Sequence, residues 1–108
     1  MSKFDDFLEQ LTDSIAELVR DELKEFEAAA LKDGKAFVEK SMHDLLRWTG
    51  LLDSGHLTKD DFAWLVAGKK DLAEMAALEQ AGLALVRLDK FRTALIDLVV
   101  GTAFNVFL

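Results

Sequence analysis

Residues 4–48 read FDDFLEQLTDSIAELVRDELKEFEAAALKDGKAFVEKSMHDLLRW. Mostly apolar side chains recur through this stretch at intervals of three or four residues, and no proline interrupts them. Such spacing is typical of one face of an α-helix. We call this set the N-terminal stripe; its members are Phe4, Leu8, Leu11, Ile15, Val19, Leu23, Phe26, Ala30, Phe37, Ser41, Leu45 and Trp48. The stripe predicts a long N-terminal helix.

The length of this predicted helix indicates that the chain associates with a second copy. At 1.5 Å per residue, a continuous helix over the stripe would be roughly 70 Å long. A compact domain of this size has a radius of gyration of only about 13 Å, so one chain cannot cover such a rod. We therefore expect a second copy to pack against it, with these side chains as knobs at the interface: Leu8, Leu11, Ile15, Leu18, Phe26 and Phe37.

A turn at Asp33-Gly34 is the alternative to the continuous helix. The parts of the stripe before and after Gly34 differ by about a quarter turn, as a hairpin or a kink would produce. A hairpin would use Gly34 as a left-handed C-cap. However, residues 35–37 offer no N-cap for a second helix. The sequence favours a continuous or kinked helix, in which Gly34 costs about 1 kcal/mol relative to alanine.

Capping residues predict the helix boundaries that follow. Ser2 is placed to cap the first helix, and Gly50 is predicted to end it. Residues 51–57 then form a loop, and Thr58 caps a short helix that ends at Gly68.

The last third of the chain predicts two more helices. Asp71 reads as the N-cap of one that extends to Gly82, and the last helix starts at Leu83 or at Asp89. That last helix is strongly apolar and is expected to lie in the core or at a subunit interface. The predicted fold is an all-α bundle of four to five helices, in a single domain over residues 1–108.

Composition limits the class of protein. The chain has 108 residues, of which 51% are hydrophobic and 31% charged, as in globular rather than disordered proteins. It has no cysteine, which excludes disulfides, thiolate catalysis and cysteine-based metal sites. The N-terminus has no positive region before an apolar core, so we expect no secretory signal and a cytoplasmic location.

The charge is acidic and uneven. The formal net charge is −7, and residues 1–33 alone hold ten acidic and four basic side chains. This bias argues against binding to nucleic acid or to anionic membranes, and it is compatible with a basic surface on a partner protein. The last helix carries too many charges and is too short to span a membrane.

No set of residues predicts catalysis or metal binding. Glu39 and His43 lie one helical turn apart, but no second pair accompanies them. Ser54 and His56 are neighbours in a loop without a third group to orient them. Two carboxylates, Glu22 in the stripe and Asp97 in the last helix, are predicted to be buried, where a perturbed pKa would suggest function. We expect no enzyme activity, no cofactor and no metal.

Two functions fit these observations. The first is a non-enzymatic cytoplasmic interaction module that self-associates, as a homodimer. The second is a carrier that binds a lipid-like or aromatic ligand in a cavity of the bundle. Its lining would come from these aromatic residues: Phe37, Trp48, Phe62, Trp64, Phe91, Phe104 and Phe107.

Overall fold

A computed structural model describes residues 2–108 of the chain as a bundle of α-helices, without a strand in that range. Five α-helices are joined by loops and two short 3₁₀ turns. Their bounds are α1 Lys3–Glu22, α2 Glu27–Asp53, α3 Lys59–Ala67, α4 Ala76–Gln80 and α5 Leu85–Phe107, with the 3₁₀ turns at Lys24–Phe26 and Lys70–Leu72. The predicted all-α class is confirmed.

Helix α1 begins where the sequence predicts. The Ser2 hydroxyl accepts a hydrogen bond from the Asp5 backbone N–H at 3.1 Å, and the Asp5 carboxylate accepts one from the Ser2 N–H at 3.4 Å. This reciprocal pair satisfies two N–H groups that a helix start leaves without partners.

The predicted continuous helix is wrong, and so is the alternative turn at Gly34. Helix α1 ends at Glu22, and Leu23 leaves the helical conformation with φ −134° and ψ 39°. The Leu23 N–H still donates to the Val19 carbonyl, and the Phe26 N–H donates to the Leu23 carbonyl. The chain reverses over these residues, and α2 then packs back along α1. The longest dimension of the described structure is 42 Å, which is close to the length of α2 alone.

Burial explains why the chain reverses without glycine or proline. Leu23 is itself buried, and the stripe residues on both sides of the turn enter one core. Packing of amphipathic faces contributes more to helix stability in proteins than local propensity does. The Arg87 guanidinium secures the turn by donating to the Glu22 carbonyl at 3.0 Å and to the Glu25 carboxylate at 2.9 Å. The hydrogen bond from Arg87 to the Glu25 carboxylate is the main cause that lowers the pKa of Glu25.

Gly34 lies inside α2, where it allows close packing of the two helices. A Cβ added at this position would lie 3.0 Å from the Ile15 Cγ2 atom of α1. Gly34 is therefore a contact point between helices rather than a helix end.

Helix α2 continues three residues beyond its predicted end at Gly50. It stops at Asp53, and Gly55 follows with a φ of +81° that favours glycine. The Gly55 N–H donates to the Leu52 carbonyl and the His56 N–H donates to the Leu51 carbonyl. This double hydrogen bond is a Schellman motif.

Helix α3 follows its prediction at both ends. The Thr58 hydroxyl accepts a hydrogen bond from the Asp61 N–H at 3.1 Å, and Gly68 is the C-cap.

The predicted helix start at Asp71 is wrong, because the cap of α4 comes from α2. Helix α4 begins only at Ala76. The two carboxylate oxygens of Asp33 accept hydrogen bonds from the N–H groups of Ala77 and Leu78, at 3.0 and 2.8 Å. Asp33 is buried and its bond to Leu78 lies away from water, whereas its bond to Ala77 is partly buried.

A second polar side chain holds the residues just before α4. Arg92 of α5 donates from Nε to the Ala73 carbonyl at 2.5 Å and from Nη2 to the Glu74 carbonyl at 3.3 Å. Between the two attachments, the buried Met75 has the left-handed values φ 57° and ψ 36°. We call residues 73–78 the clamped segment, since α2 and α5 each hold it by one side chain.

Helix α5 starts at Leu85, between its two predicted start positions. It packs against α1 and α3 and supplies a large share of the core. Its buried apolar side chains are Leu88, Phe91, Leu95, Ile96, Val99, Ala103 and Phe107. Within residues 2–108, every helix is too short or too polar to cross a bilayer.

Candidate functional site: a groove between α1 and α2

The hairpin changes which predicted interface residues are accessible. Leu11, Ile15 and Phe37 are 0%, 5% and 2% exposed, because the hairpin and α5 bury them within one chain. These three side chains have almost no surface to offer a second copy. The other three, Leu8, Leu18 and Phe26, are half-buried and pack against the core from its edge.

An open groove of about 440 Å³ runs between α1 and α2 beside the buried part of the stripe. Its lining is mostly apolar and consists of Leu8, Thr12, Ile15, Ala16, Leu31, Lys35, Val38, Glu39 and Met42. We call this surface the α1–α2 groove. Of the predicted interface residues, Leu8 and Ile15 belong to it.

Sequence reasoning missed the α2 side of the groove. Leu31, Val38 and Met42 are spaced by seven and four residues, which places them on one face of a helix. Exposed Leu46 extends the same row by one more turn. This second apolar row could have predicted an exposed apolar surface on α2. It was missed because the N-terminal stripe already supplied one apolar face for a single long helix.

Acidic side chains flank one end of the groove, and two lysines flank the other end together with Glu27 of the first turn of α2. Helices α1 and α2 run antiparallel, and the Lys3 ammonium lies 2.8 Å from the Asp53 carboxylate where α1 starts and α2 ends. Asp5 and Glu9, in the first turns of α1, are therefore near this end. Lys32 and Lys35, in the first turns of α2, lie toward the other end. All of these charged side chains are exposed to water.

The candidate catalytic residues do not form an active site. Glu22 and Asp97, predicted to be buried, are both exposed. The Ser54 hydroxyl lies 2.8 Å from His56 Nδ1, but both residues are exposed and Ser54 also donates to the Leu51 carbonyl. In the part of the chain that the structure describes, no three histidine or acidic side chains come together in a way that could hold a metal ion.

The predicted aromatic set is divided between core and surface. Phe37, Trp48, Phe62, Phe91 and Phe107 are buried, and Phe104 is half-buried. They fill the core instead of lining an enclosed cavity. Trp64 is the exception, because 76% of it is exposed on α3.

The buried and the exposed tryptophan border one shallow groove, with Gly68 and Lys69 between them. The Lys69 ammonium lies 5.3 Å from the centroid of the Trp48 ring and also pairs with the Asp44 carboxylate. The hydrogen bond from Lys69 is the main cause that lowers the pKa of Asp44.

Comparison with known proteins does not place the chain in a family. No family model, curated protein or solved structure matches it. We therefore infer function from the chemistry of its surface.

Proposed function

We propose that the chain is a non-enzymatic interaction module that forms a homodimer through the α1–α2 groove, with the two copies antiparallel. The observation that carries this proposal is an open apolar groove flanked by Asp5 and Glu9 at one end and by Lys32 and Lys35 at the other. We also propose a cytoplasmic location, as expected from the sequence.

The apolar side chains of the groove supply the attraction. Leu8 on one wall faces the row of Leu31, Val38 and Met42 on the other. An antiparallel hairpin set into such a groove would complete a four-helix arrangement, in which the two hairpins share one core. Each Å² of apolar surface removed from water contributes about 25 cal/mol.

The size of the face is sufficient for a stable pair. Helix α1, the shorter of the two, has 20 residues and is about 30 Å long, and two adjacent helices are about 20 Å wide. The face therefore offers roughly 600 Å² per copy, or about 1,200 Å² in a pair, which is the lower end of the standard range for protein–protein interfaces.

The charges select the orientation of the two copies. In a two-fold symmetric interface, a residue that contacts another is contacted by the same residue of the second copy in return. An antiparallel pair places the Asp5 and Glu9 end of one copy over the Lys32 and Lys35 end of the other. A parallel pair would bring like charges together. Electrostatic complementarity of this kind fixes orientation more than it adds affinity.

The test measures molar mass in solution across micromolar concentrations, by light scattering or sedimentation. We expect the unmodified chain to have the mass of a dimer. The double variant Leu31→Glu, Met42→Glu should be a monomer, because two carboxylates in the groove cannot be buried without partners. Leu85→Glu is the matched control, since Leu85 is exposed on α5 away from the groove. It should remain dimeric, and circular dichroism should show that all three proteins are folded.

A charge exchange tests the antiparallel arrangement. The change Lys32→Glu, Lys35→Glu should weaken the dimer by about tenfold, since it places four carboxylates at each junction. Adding Glu9→Lys to the same chain should restore part of the affinity, and it leaves the capping pair of Ser2 and Asp5 intact. A monomeric unmodified chain, or a groove variant that stays dimeric, would contradict the proposal.

The second predicted function, a carrier of an apolar ligand, would give a different result in these measurements. The groove is open, whereas ligand carriers enclose most of the surface of their ligand. A monomer that retains an apolar small molecule in native mass spectrometry would assign the groove to a carrier instead.

A further inference from the structure

We infer that Trp64, together with the carboxylates of Asp60 and Asp61, is a docking site for an arginine-bearing segment of a partner protein. This surface lies on α3 and shares no residue with the α1–α2 groove, so the inference does not depend on the proposed dimer.

Trp64 is an indole with almost nothing packed over it. It is 76% exposed on a helix of nine residues. Asp60 and Asp61 precede it by four and three residues, and all three lie on the same side of the helix. Side chains in helices lean toward the N-terminus, so the indole extends over the turn that carries the two carboxylates.

The side of Trp64 away from the carboxylates is open. Ala67 and Gly68 follow it by three and four residues, and neither has a side chain long enough to cover the ring. Both residues line the shallow groove that Trp64 borders. An extended segment of a partner could therefore approach the indole without displacing any side chain.

The molecule contains a complete version of the same arrangement in the same shallow groove. At Trp48, the ring, the Lys69 ammonium and the Asp44 carboxylate form a set of indole, cation and anion. Trp64 with Asp60 and Asp61 has the indole and the anions of such a set, without its cation.

The chain does not supply that cation from its own side chains. Among residues 2–108, the six ion pairs leave out both Asp60 and Asp61. The lysine on the same helix, Lys59, points elsewhere, since its ammonium lies 5.5 Å from the centroid of the Phe104 ring.

Arginine fits this surface better than lysine. Its guanidinium is planar, stacks on an aromatic face and can pair with a carboxylate through two parallel N–H groups. A net charge of −7 also raises the association rate of a basic segment. The partner predicted here is a protein with arginine in an exposed, extended segment.

The test titrates the folded, full-length chain with the peptide acetyl-Gly-Arg-Gly-Arg-Gly-amide in low salt, observed by ¹⁵N NMR. The two tryptophans give two indole N–H signals, which separate Trp64 from Trp48. We expect a saturable shift of the Trp64 signal and little change at Trp48. A peptide with citrulline in place of each arginine keeps the planar shape without the charge, and it should bind at least about fivefold more weakly.

Variants of the chain assign the binding to these side chains. Trp64→Ala and the double variant Asp60→Asn, Asp61→Asn should each weaken binding of the arginine peptide by about threefold to tenfold, with backbone amide shifts as the readout for the first. Asp97→Asn is the matched control, since it removes an exposed carboxylate on α5 and should leave the affinity unchanged. Equal binding of the citrulline peptide, or shifts that leave the Trp64 indole unmoved, would overturn the inference.

Discussion

The α1–α2 hairpin and the clamped segment are held in place in different ways. The hairpin is an apolar contact between two long helices, in which stripe residues such as Leu11 and Phe37 are buried together. The clamped segment is held by the polar side chains of Asp33 and Arg92, which bond to its backbone from two other helices. Many small apolar contributions support the first region, whereas in the second a few hydrogen bonds add to the burial of Met75 and Leu78. Single substitutions should therefore affect the second region most.

The largest effect is expected for Asp33→Ala. This change leaves the N–H groups of Ala77 and Leu78 without partners, and the bond to Leu78 is buried. Loss of two hydrogen bonds to a charged acceptor should lower the free energy of unfolding by about 3 kcal/mol. Chemical denaturation measures that loss. Hydrogen exchange should show faster opening of the amides of α4 than of α1 and α2.

The control for this variant is Asp71→Ala. Asp71 is the residue that the sequence predicts as the cap of this helix, yet it is exposed and α4 begins five residues later. Its removal should change stability by less than about 0.5 kcal/mol, as for most surface positions. If Asp71→Ala cost as much as Asp33→Ala, the clamp from α2 would not be what holds α4.

These two acidic residues also show what a sequence can predict about this fold. The caps at Ser2 and Thr58 were predicted correctly because each bonds to a residue three positions further on. Asp33 acts on a residue 44 positions away, and no local pattern contains that information. The turn at Leu23–Phe26 was missed for a related reason. Its leucine, lysine and glutamate are good helix formers, so only tertiary packing ends the helix there.

The candidate surfaces were predicted less well than the fold. Leu8, predicted as an interface residue, lines the α1–α2 groove, but Leu31, Val38 and Met42 were not considered. These residues form one wall of a groove only because the chain reverses at Leu23–Phe26 and packs α2 against α1. Trp64 was predicted to line a cavity of the bundle, and its exposure depends on which side of the short helix α3 faces α5.

The hairpin provides the second prediction, Gly34→Ala. A methyl group at this position meets the Ile15 Cγ2 atom at 3.0 Å, and a β-branched side chain has little freedom to move away. The gain in helix propensity, about 1 kcal/mol, should be outweighed by the strain of overpacking. We expect a net loss of about 1 kcal/mol in the free energy of unfolding, measured by chemical denaturation.

Two comparisons isolate the contact as the cause. Gly101→Ala places the same methyl group on α5 in open space, so it should stabilise the protein by about 0.5–1 kcal/mol. Ile15→Leu removes the Cγ2 atom, and it should cost less in the Gly34→Ala background than in the unmodified chain. If the two changes had additive effects on the free energy of unfolding, the helices would be moving apart instead of forming a tight contact at Ile15 Cγ2.

The smallest effect concerns Lys69, which ties the chain just before the clamped segment to α2. Its ammonium pairs with Asp44 and lies over the Trp48 ring. The hydrogen bond from Lys69 is the main reason that the pKa of Asp44 lies below its ordinary value. An aspartate whose pKa is lower in the folded than in the unfolded protein stabilises the fold above the unfolded pKa, about 3.9, and this contribution disappears as the pH falls through the folded pKa.

Lys69→Met should therefore raise the pKa of Asp44 toward its ordinary value, as measured by NMR titration of the side-chain carboxyl carbon. The variant should be less stable than the unmodified chain at neutral pH, and the difference should shrink in acid because protonated Asp44 no longer favours a lysine partner. Lys70→Met is the matched control, since Lys70 pairs with Asp89 and should leave the titration of Asp44 unchanged. An unaltered Asp44 titration in the Lys69 variant would show that this half-buried pair does not help to hold the segment against the hairpin. The polar contacts that hold the clamped segment would then be those of Asp33 and Arg92, in addition to the burial of Met75 and Leu78.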